Sequence, residues 1–239
     1  MSDFEIRGNF WVGNTDFSNF FYWSVRPAYR SLFPHELNYA RFEEVMNHLQ
    51  TMTGKSTISV FEFVALFSFI YNETGATFKS MKEWGDEGYY NAHGYHTKSA
   101  GRGLIQLTSD SVYRVALREL GYDYDSLSSE NLDSLFLKPE VYYPAVRVYL
   151  SHPHLAGAHW AKIQQGDFYG FGVAISGGSS SYGTLFQQRC EALLKELNKY
   201  PLKNSASILP NKKAIKIGAM AVGTGLALGG LYWLLKRQL

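Results

Sequence analysis

One cysteine, Cys190, is present in 239 residues. An internal disulfide and a cysteine-based zinc cluster are therefore excluded, and the fold must hold by packing. Neither sign of charge dominates: 23 Lys and Arg stand against 21 Asp and Glu, so no overall field draws nucleic acid or an acidic partner. The opening MSDFEIRGNF lacks a basic segment followed by an apolar run, and no cleavable secretory signal is expected. Internal repeats and low-complexity tracts are missing as well. At this length, that leaves one ordinary domain with appendages.

Aromatics are plentiful, with 17 Tyr, 16 Phe and 5 Trp, a usage that suits sugar stacking, protein cores and membrane interfaces alike. Residues 1–34 hold ten of them without a sustained period of two or 3.6, and are expected to form an extension that wraps the domain or meets a partner. Residues 35–199 carry a mainly helical pattern, with helices predicted near 37–52, 58–72, 109–120, 139–150, 155–164 and 182–199. Between the second and third lies WGDEGYYNAHGYHTKSAGRG, too rich in Gly, Tyr and His for a helix interior, which predicts a loop or short hairpin where a cleft could open.

Residues 200–214 form a polar, turn-prone linker, and 215–237 are expected to be a transmembrane helix. The uncharged run 217–235 would be a helix of roughly 28 Å, close to the ~30 Å hydrocarbon core of a bilayer. Tyr232 and Trp233 fall where an interfacial aromatic belt sits, and Lys212, Lys213 and Lys216 answer Lys236 and Arg237 across the run. Basic residues on both sides leave the orientation open. Ala221, Gly225 and Gly229 share one helix face and would permit close pairing with a second copy or another membrane protein.

The chemistry centres on Glu73. VFEFVALFSFIYNETGATF places it just past a strongly apolar helix, with Gly75 positioned to cap that helix. The negative end of the helix dipole and the flanking Phe69, Ile70 and Phe78 would both favour the protonated carboxyl. A carboxylic acid with a raised pKa is the usual proton donor to a glycosidic oxygen.

Asn72-Glu73-Thr74-Gly75 resembles the His-Glu-Thr/Ser-Gly catalytic motif of family 19 glycoside hydrolases, which include chitinases and phage endolysins. Gly101-Arg102-Gly103-Leu104-Ile105-Gln106-Leu107-Thr108, with Tyr113 after it, is similar to that family's Gly-Arg-Gly-x-Ile-Gln-Leu-Ser/Thr signature. Ile175-Ser176-Gly177-Gly178 and the following helix resemble the Ile-Asn-Gly-Gly segment and terminal helix of the endolysin branch. These motifs run in the family's order over roughly 58–199. The resemblance implies a lysozyme-like, two-lobed helical fold and inverting hydrolysis with one carboxylic acid and one carboxylate base. It implies Glu73 as the acid, Arg102 as organiser of the carboxylates, and Gln106, Thr108 and Tyr113 as substrate-binding residues. Arg102 could also be a turn arginine, and Thr108 a cap on the next helix.

For the base, the loop offers Glu83, Asp86 and Glu87. Glu87, in Asp-Glu-Gly-Tyr, best resembles the endolysins' Tyr-Glu-Gly-Arg, with Glu83 as backup. Three positions depart from the family: Asn72 replaces its His, Val112 the Asn expected before Tyr113, and Ser176 the Asn of Ile-Asn-Gly-Gly. Tyr89, Tyr90 and Tyr95 serve sugar stacking or packing equally well. The expected function is therefore peptidoglycan cleavage by an anchored enzyme, in a virion membrane or a host inner membrane, for phage entry or host lysis. No cofactor is required, because proton transfer and a water nucleophile complete the reaction. Three other readings stand beside it. One is a lytic transglycosylase with a single acid. Another is a metal-dependent wall peptidase using His93 and His96 or His152 and His154, and the third is a catalytically inactive structural membrane protein of a virion.

Overall fold

The computed structural model describes residues 5–6, 25–32, 39–55, 58–92, 96–197 and 199. In chain order it contains β1 (Glu5–Ile6), α1 (Arg26–Leu32), α2 (Tyr39–Asn47), α3 (Leu49–Thr53), β2 (Ile58–Ser59) and α4 (Val60–Glu73). Then come β3 (Met81–Lys82), α5 (Glu87–Ala92), β4 (Arg102–Gly103), α6 (Asp110–Glu119) and α7 (Ser129–Leu135). The chain closes with α8 (Pro139–Ser151), α9 (Gly157–Gln164), α10 (Phe168–Ile175) and α11 (Ser180–Leu197). The protein is thus mainly helical, as its apolar spacing predicts. The predicted helices near 58–72, 109–120, 139–150, 155–164 and 182–199 correspond to α4, α6, α8, α9 and α11, and the one near 37–52 is divided into α2 and α3.

α4 is apolar on nearly every side, and a helix of that kind must be enclosed. Eleven of its 14 residues are buried, under α9 and α11 among others. Its start is closed by a capping box: Glu62 N–H donates to Ser59 Oγ at 3.1 Å, and Ser59 N–H donates back to Glu62 Oε2 at 2.9 Å. The Glu62 carboxylate is buried and also accepts from Lys55 Nζ at 2.5 Å and Trp160 Nε1 at 3.0 Å. Burial alone would raise its pKa, but Lys55, the Ser59 amide and Trp160 together bring it below the ordinary value of 4.5.

Several aromatics among the described residues of the N-terminal third are packed together in the core. Tyr29 stacks on Phe42 with ring centroids 5.0 Å apart, and Phe42 meets Phe67 and Phe78, each at 5.2 Å. Tyr29 lies on α1, which packs against α11. The boundary expected at residue 34 therefore separates α1 from a core to which it belongs: Val25, Ala28 and Tyr29 are fully buried. Elsewhere two helices approach closely at a pair of glycines. A Cβ on Gly172 of α10 would come 3.0 Å from the Gly183 Cα of α11, and one on Gly183 would come 2.5 Å from Val173.

The segment predicted as a loop or hairpin contains both a hairpin and the short helix α5. β3 pairs antiparallel with β4, Met81 opposite Gly103 and Lys82 opposite Arg102. Arg102 also exchanges two backbone hydrogen bonds with Leu107, at 3.1 and 2.9 Å. No helix among the described residues is long and apolar enough to cross a membrane. The linker at 200–214 and the transmembrane helix expected at 215–237 lie outside the described residues.

Because Glu62 is depressed in the folded state, its stabilisation is present above the unfolded-state pKa and is lost as pH falls through the folded value. Glu62→Ala is expected to cost about 2–3 kcal/mol at neutral pH, since it removes both a cap and a buried ion-pair partner. Urea unfolding over acidic pH checks this. The wild type should lose an increment of stability as pH drops below about 4.5, an increment that the variant lacks.

Candidate active site

Glu73 is the last residue of α4, half-buried where the helix leaves the core. The helix ends as its sequence predicts. Gly75 takes a left-handed φ of 55°, its N–H donates to Asn72 O at 3.4 Å, and Ala76 N–H reaches back to Tyr71 O at 3.0 Å. The turn that follows is strained, because Ala76 and the buried Phe78 also have positive φ, 67° and 53°. Thr74 holds it: its hydroxyl donates to Ile70 O at 2.8 Å and accepts from Phe78 N–H at 3.1 Å. Non-glycine residues kept in this conformation mark places where surrounding structure dictates the backbone, which is characteristic of functional sites.

Two tyrosines that sequence reasoning missed face the Glu73 carboxyl. Tyr182, near the start of α11, donates its hydroxyl to Glu73 Oε1 at 2.5 Å. Burial, reinforced by the charge and hydrogen bond of Glu73, holds this phenol well above its ordinary value of 10. Tyr149 on α8 is pushed up to about 12 by burial and the same carboxylate. Both phenols stay protonated at working pH, so Tyr182 is a permanent donor to Glu73. Beside them Arg189 donates to Asn72 Oδ1 and lies over the Tyr71 ring at 4.3 Å.

The Gly-Arg-Gly run forms the hairpin, and each of its residues has a local physical reason. A Cβ on Gly101 would strike Gln106 Oε1 at 2.8 Å, and Gly103 turns the chain with φ 86°. Arg102 between them is entirely buried. Its guanidinium donates to Asp133 Oδ1 at 2.6 Å, to the carbonyls of Thr97, Lys98 and Ala100 at 3.2, 2.8 and 3.0 Å, and to Ser129 Oγ at 3.0 Å. The carboxylate it holds by these bonds is Asp133, which Lys82 also meets at 2.9 Å. A guanidinium so enclosed ties hairpin to helix. Tyr113 is equally buried, donating to Ala100 O at 2.6 Å and stacked on Tyr124.

Gln106 is half-buried at φ 50°, and its amide donates to Met81 O and Gly103 O, both at 3.1 Å. Thr108 donates to Gln106 O at 2.8 Å and does not cap α6, whose N-cap position is Ser109. Of the loop carboxylates, Glu83 is the one tied into the hairpin. Its Oε2 accepts from Gly101 N–H at 3.1 Å and its Oε1 from Tyr89 Oη at 3.2 Å. Asp86 accepts from Tyr89 N–H at 2.8 Å, serving the first turn of α5. Glu87 is exposed in that same turn. Tyr90 is buried, donating to Glu83 O at 2.7 Å, so packing accounts for it. His93 and Tyr95 lie outside the described residues. Trp84, between Glu83 and Gly85, is 86% exposed.

Among the described residues no three His, Cys, Asp or Glu side chains are grouped to hold a metal ion. Comparison with family models, curated proteins and solved structures finds no match. The likeness to family 19 glycoside hydrolases therefore stands on the quoted motifs alone.

Replacing Arg102 by Lys keeps the charge but supplies one nitrogen where the site uses three. The expected cost is about 3 kcal/mol, because buried carbonyls and Asp133 lose their donors. Thermal unfolding read by circular dichroism checks it. Any loss of function in Arg102→Lys should follow the fraction unfolded and not a weakened affinity for ligand.

Proposed function

We propose that this chain is a glycosidase that cuts the glycan strands of peptidoglycan, with Glu73 as general acid, on a lysozyme-like two-lobed fold. The observation that carries the reading is the setting of Glu73. It is a half-buried carboxyl at the end of a buried helix, held by a phenol that stays protonated, beside a strained turn. A fixed, partly desolvated carboxyl is what proton donation to a leaving oxygen requires. The motif order, with Gly-Arg-Gly forming the hairpin after it, supports the same reaction class.

Glu83 serves best as the base. A carboxylate that must activate water in one place has to be held, and Glu83 is anchored to the Gly101 amide and Tyr89, whereas Glu87 is exposed in the first turn of α5. An inverting pair needs the two carboxyls roughly 6.5–9.5 Å apart to admit water. The exposed Trp84 beside Glu83 offers a face on which a sugar ring can stack. The apolar run 217–235 anchors the enzyme to a bilayer and confines cutting to where membrane meets wall. This placement suits phage entry or host lysis.

The test is fragment release from purified peptidoglycan by the full chain in detergent micelles, with product masses determined. Glu73→Gln is expected to lower release by at least about 100-fold, and Glu83→Gln by a similar factor, with reducing-end products from the wild type. Anhydro-sugar products that persist in Glu83→Gln would instead make the enzyme a transglycosylase with one acid. Full activity of Glu73→Gln, or no release from any wall type by the folded wild type, overturns the proposal.

A further inference from the structure

We propose that the cavity at the opposite end of α4 from Glu73 binds the free carboxyl end of a short peptide, with Arg147 taking the carboxylate. The wall as source of that peptide rests on the peptidoglycan reading above, whereas the carboxylate chemistry is argued from the lining alone. The cavity holds about 230 Å³, where α3 and α8 end and α9 passes the start of α4. Sites for drug-sized ligands run to roughly 300–1,000 Å³, so this one suits a terminal residue or two. Two glycines shape it. A Cβ on Gly157 would lie 2.5 Å from the Ser151 carbonyl carbon, so its absence lets α9 close against the end of α8. Gly54, at φ 66°, leaves room for the stem of Arg147, whose Cδ a Cβ would approach to 3.0 Å.

The lining polar groups decide the ligand. Both oxygens of Glu62 are already engaged: Oε2 accepts from the Ser59 amide, and Oε1 from Lys55 Nζ, Trp160 Nε1 and, at 3.4 Å, Gln164 Nε2. Lys55 is thereby matched by a carboxylate. Arg147 is exposed, and among the described residues no hydrogen bond or ion pair holds its guanidinium. The lining thus carries two cations against one carboxylate, and the guanidinium alone has five N–H groups to give. A ligand with one negative charge and only acceptors at its tip answers both. A carboxylate is such a group, and a guanidinium receives it through two parallel hydrogen bonds. A phosphate dianion would instead leave excess negative charge over Glu62. Leu150, Ala161 and the Trp160 ring add apolar wall for a small side chain beside the carboxylate. The Ser151 hydroxyl spends its proton on Arg147 O at 2.8 Å, so its oxygen is left to accept from a peptide N–H.

Glu62 and Glu73 lie about 16 Å apart along α4, which sets this cavity outside the cutting site. Peptidoglycan carries short peptides with free carboxyl ends along its glycan. Holding one of them keeps the enzyme on the wall between cuts and raises the effective concentration of strand at Glu73.

The probe is N-acetyl-D-alanyl-D-alanine, titrated calorimetrically into the full chain in detergent micelles. It is expected to bind, and its C-terminal amide, acetate and inorganic phosphate to bind at least about tenfold more weakly. Arg147→Gln should keep the wild-type melting temperature and lose at least about tenfold in affinity for the acid. No binding by the wild type, equal binding of the amide, or unchanged affinity in Arg147→Gln overturns the proposal. Acetate or phosphate binding as tightly as the dipeptide overturns it too, because the cavity would then take any small anion. The source is tested by sedimentation with wall in the Glu73→Gln background, where adding Arg147→Gln should weaken binding to intact peptidoglycan and leave binding to wall stripped of its peptides unchanged. An equal loss on stripped wall removes the peptide as ligand. A wild type that binds the dipeptide through Arg147 yet releases no wall fragments keeps the cavity's role and loses the glycosidase reading. One that cuts the wall and ignores the dipeptide does the reverse.

Discussion

Enclosing α4 is the constraint on which the rest of the structure depends. A helix apolar around its whole circumference has no face to give to water, so every neighbouring element must contribute a lid to it. Its two ends are where polar chemistry returns, and each end carries a carboxylate. At the N-terminal end Glu62 meets a cation, an amide and an indole, and the outcome is a staple charged at neutral pH. At the C-terminal end Glu73 meets phenols. The same side-chain type on the same helix thus meets two unlike surroundings, charged and amide donors at one end and phenols at the other.

Much of this was legible in the sequence. The long apolar periods of α4, α8 and α11 specify helices whatever their surroundings, and Gly75 after Glu73 marks the left-handed residue that ends α4. α1, α7 and α10 were not foreseen. α1 sits in an aromatic stretch with no clean period, α7 is only seven residues long, and the glycines of α10 lower its intrinsic helical preference, which packing against α11 overrides.

The site was legible in part. The place of Glu73 at the end of α4 could be read because its signal is local: a run of apolar residues, an acid, a glycine. Arg102 illustrates the limit. Its sequence motif points to carboxylates, and a carboxylate is what it binds, but the partner is Asp133 on α7 and the setting is the interior. Tyr182 was invisible for a different reason. It is 109 positions from Glu73, and nothing in a period or a motif reports which two helix ends will meet. The order of the loop carboxylates likewise depends on the hairpin register, Lys82 opposite Arg102, which sets Gly101 to receive Glu83.

The bare contact between Gly172 and Gly183 bears on this last point. Tyr182 precedes Gly183 in the chain, so the distance between the axes of α10 and α11 helps determine where the phenol arrives. At the crossing backbone lies close to backbone, with Val173 and Phe186 packed around the two glycines, so the distance has little room to change. Leucine or valine spacers would breathe with rotamer changes, whereas two glycines act as a machined stop. The protein has, in effect, placed a gauge block one residue from the hydroxyl that meets Glu73.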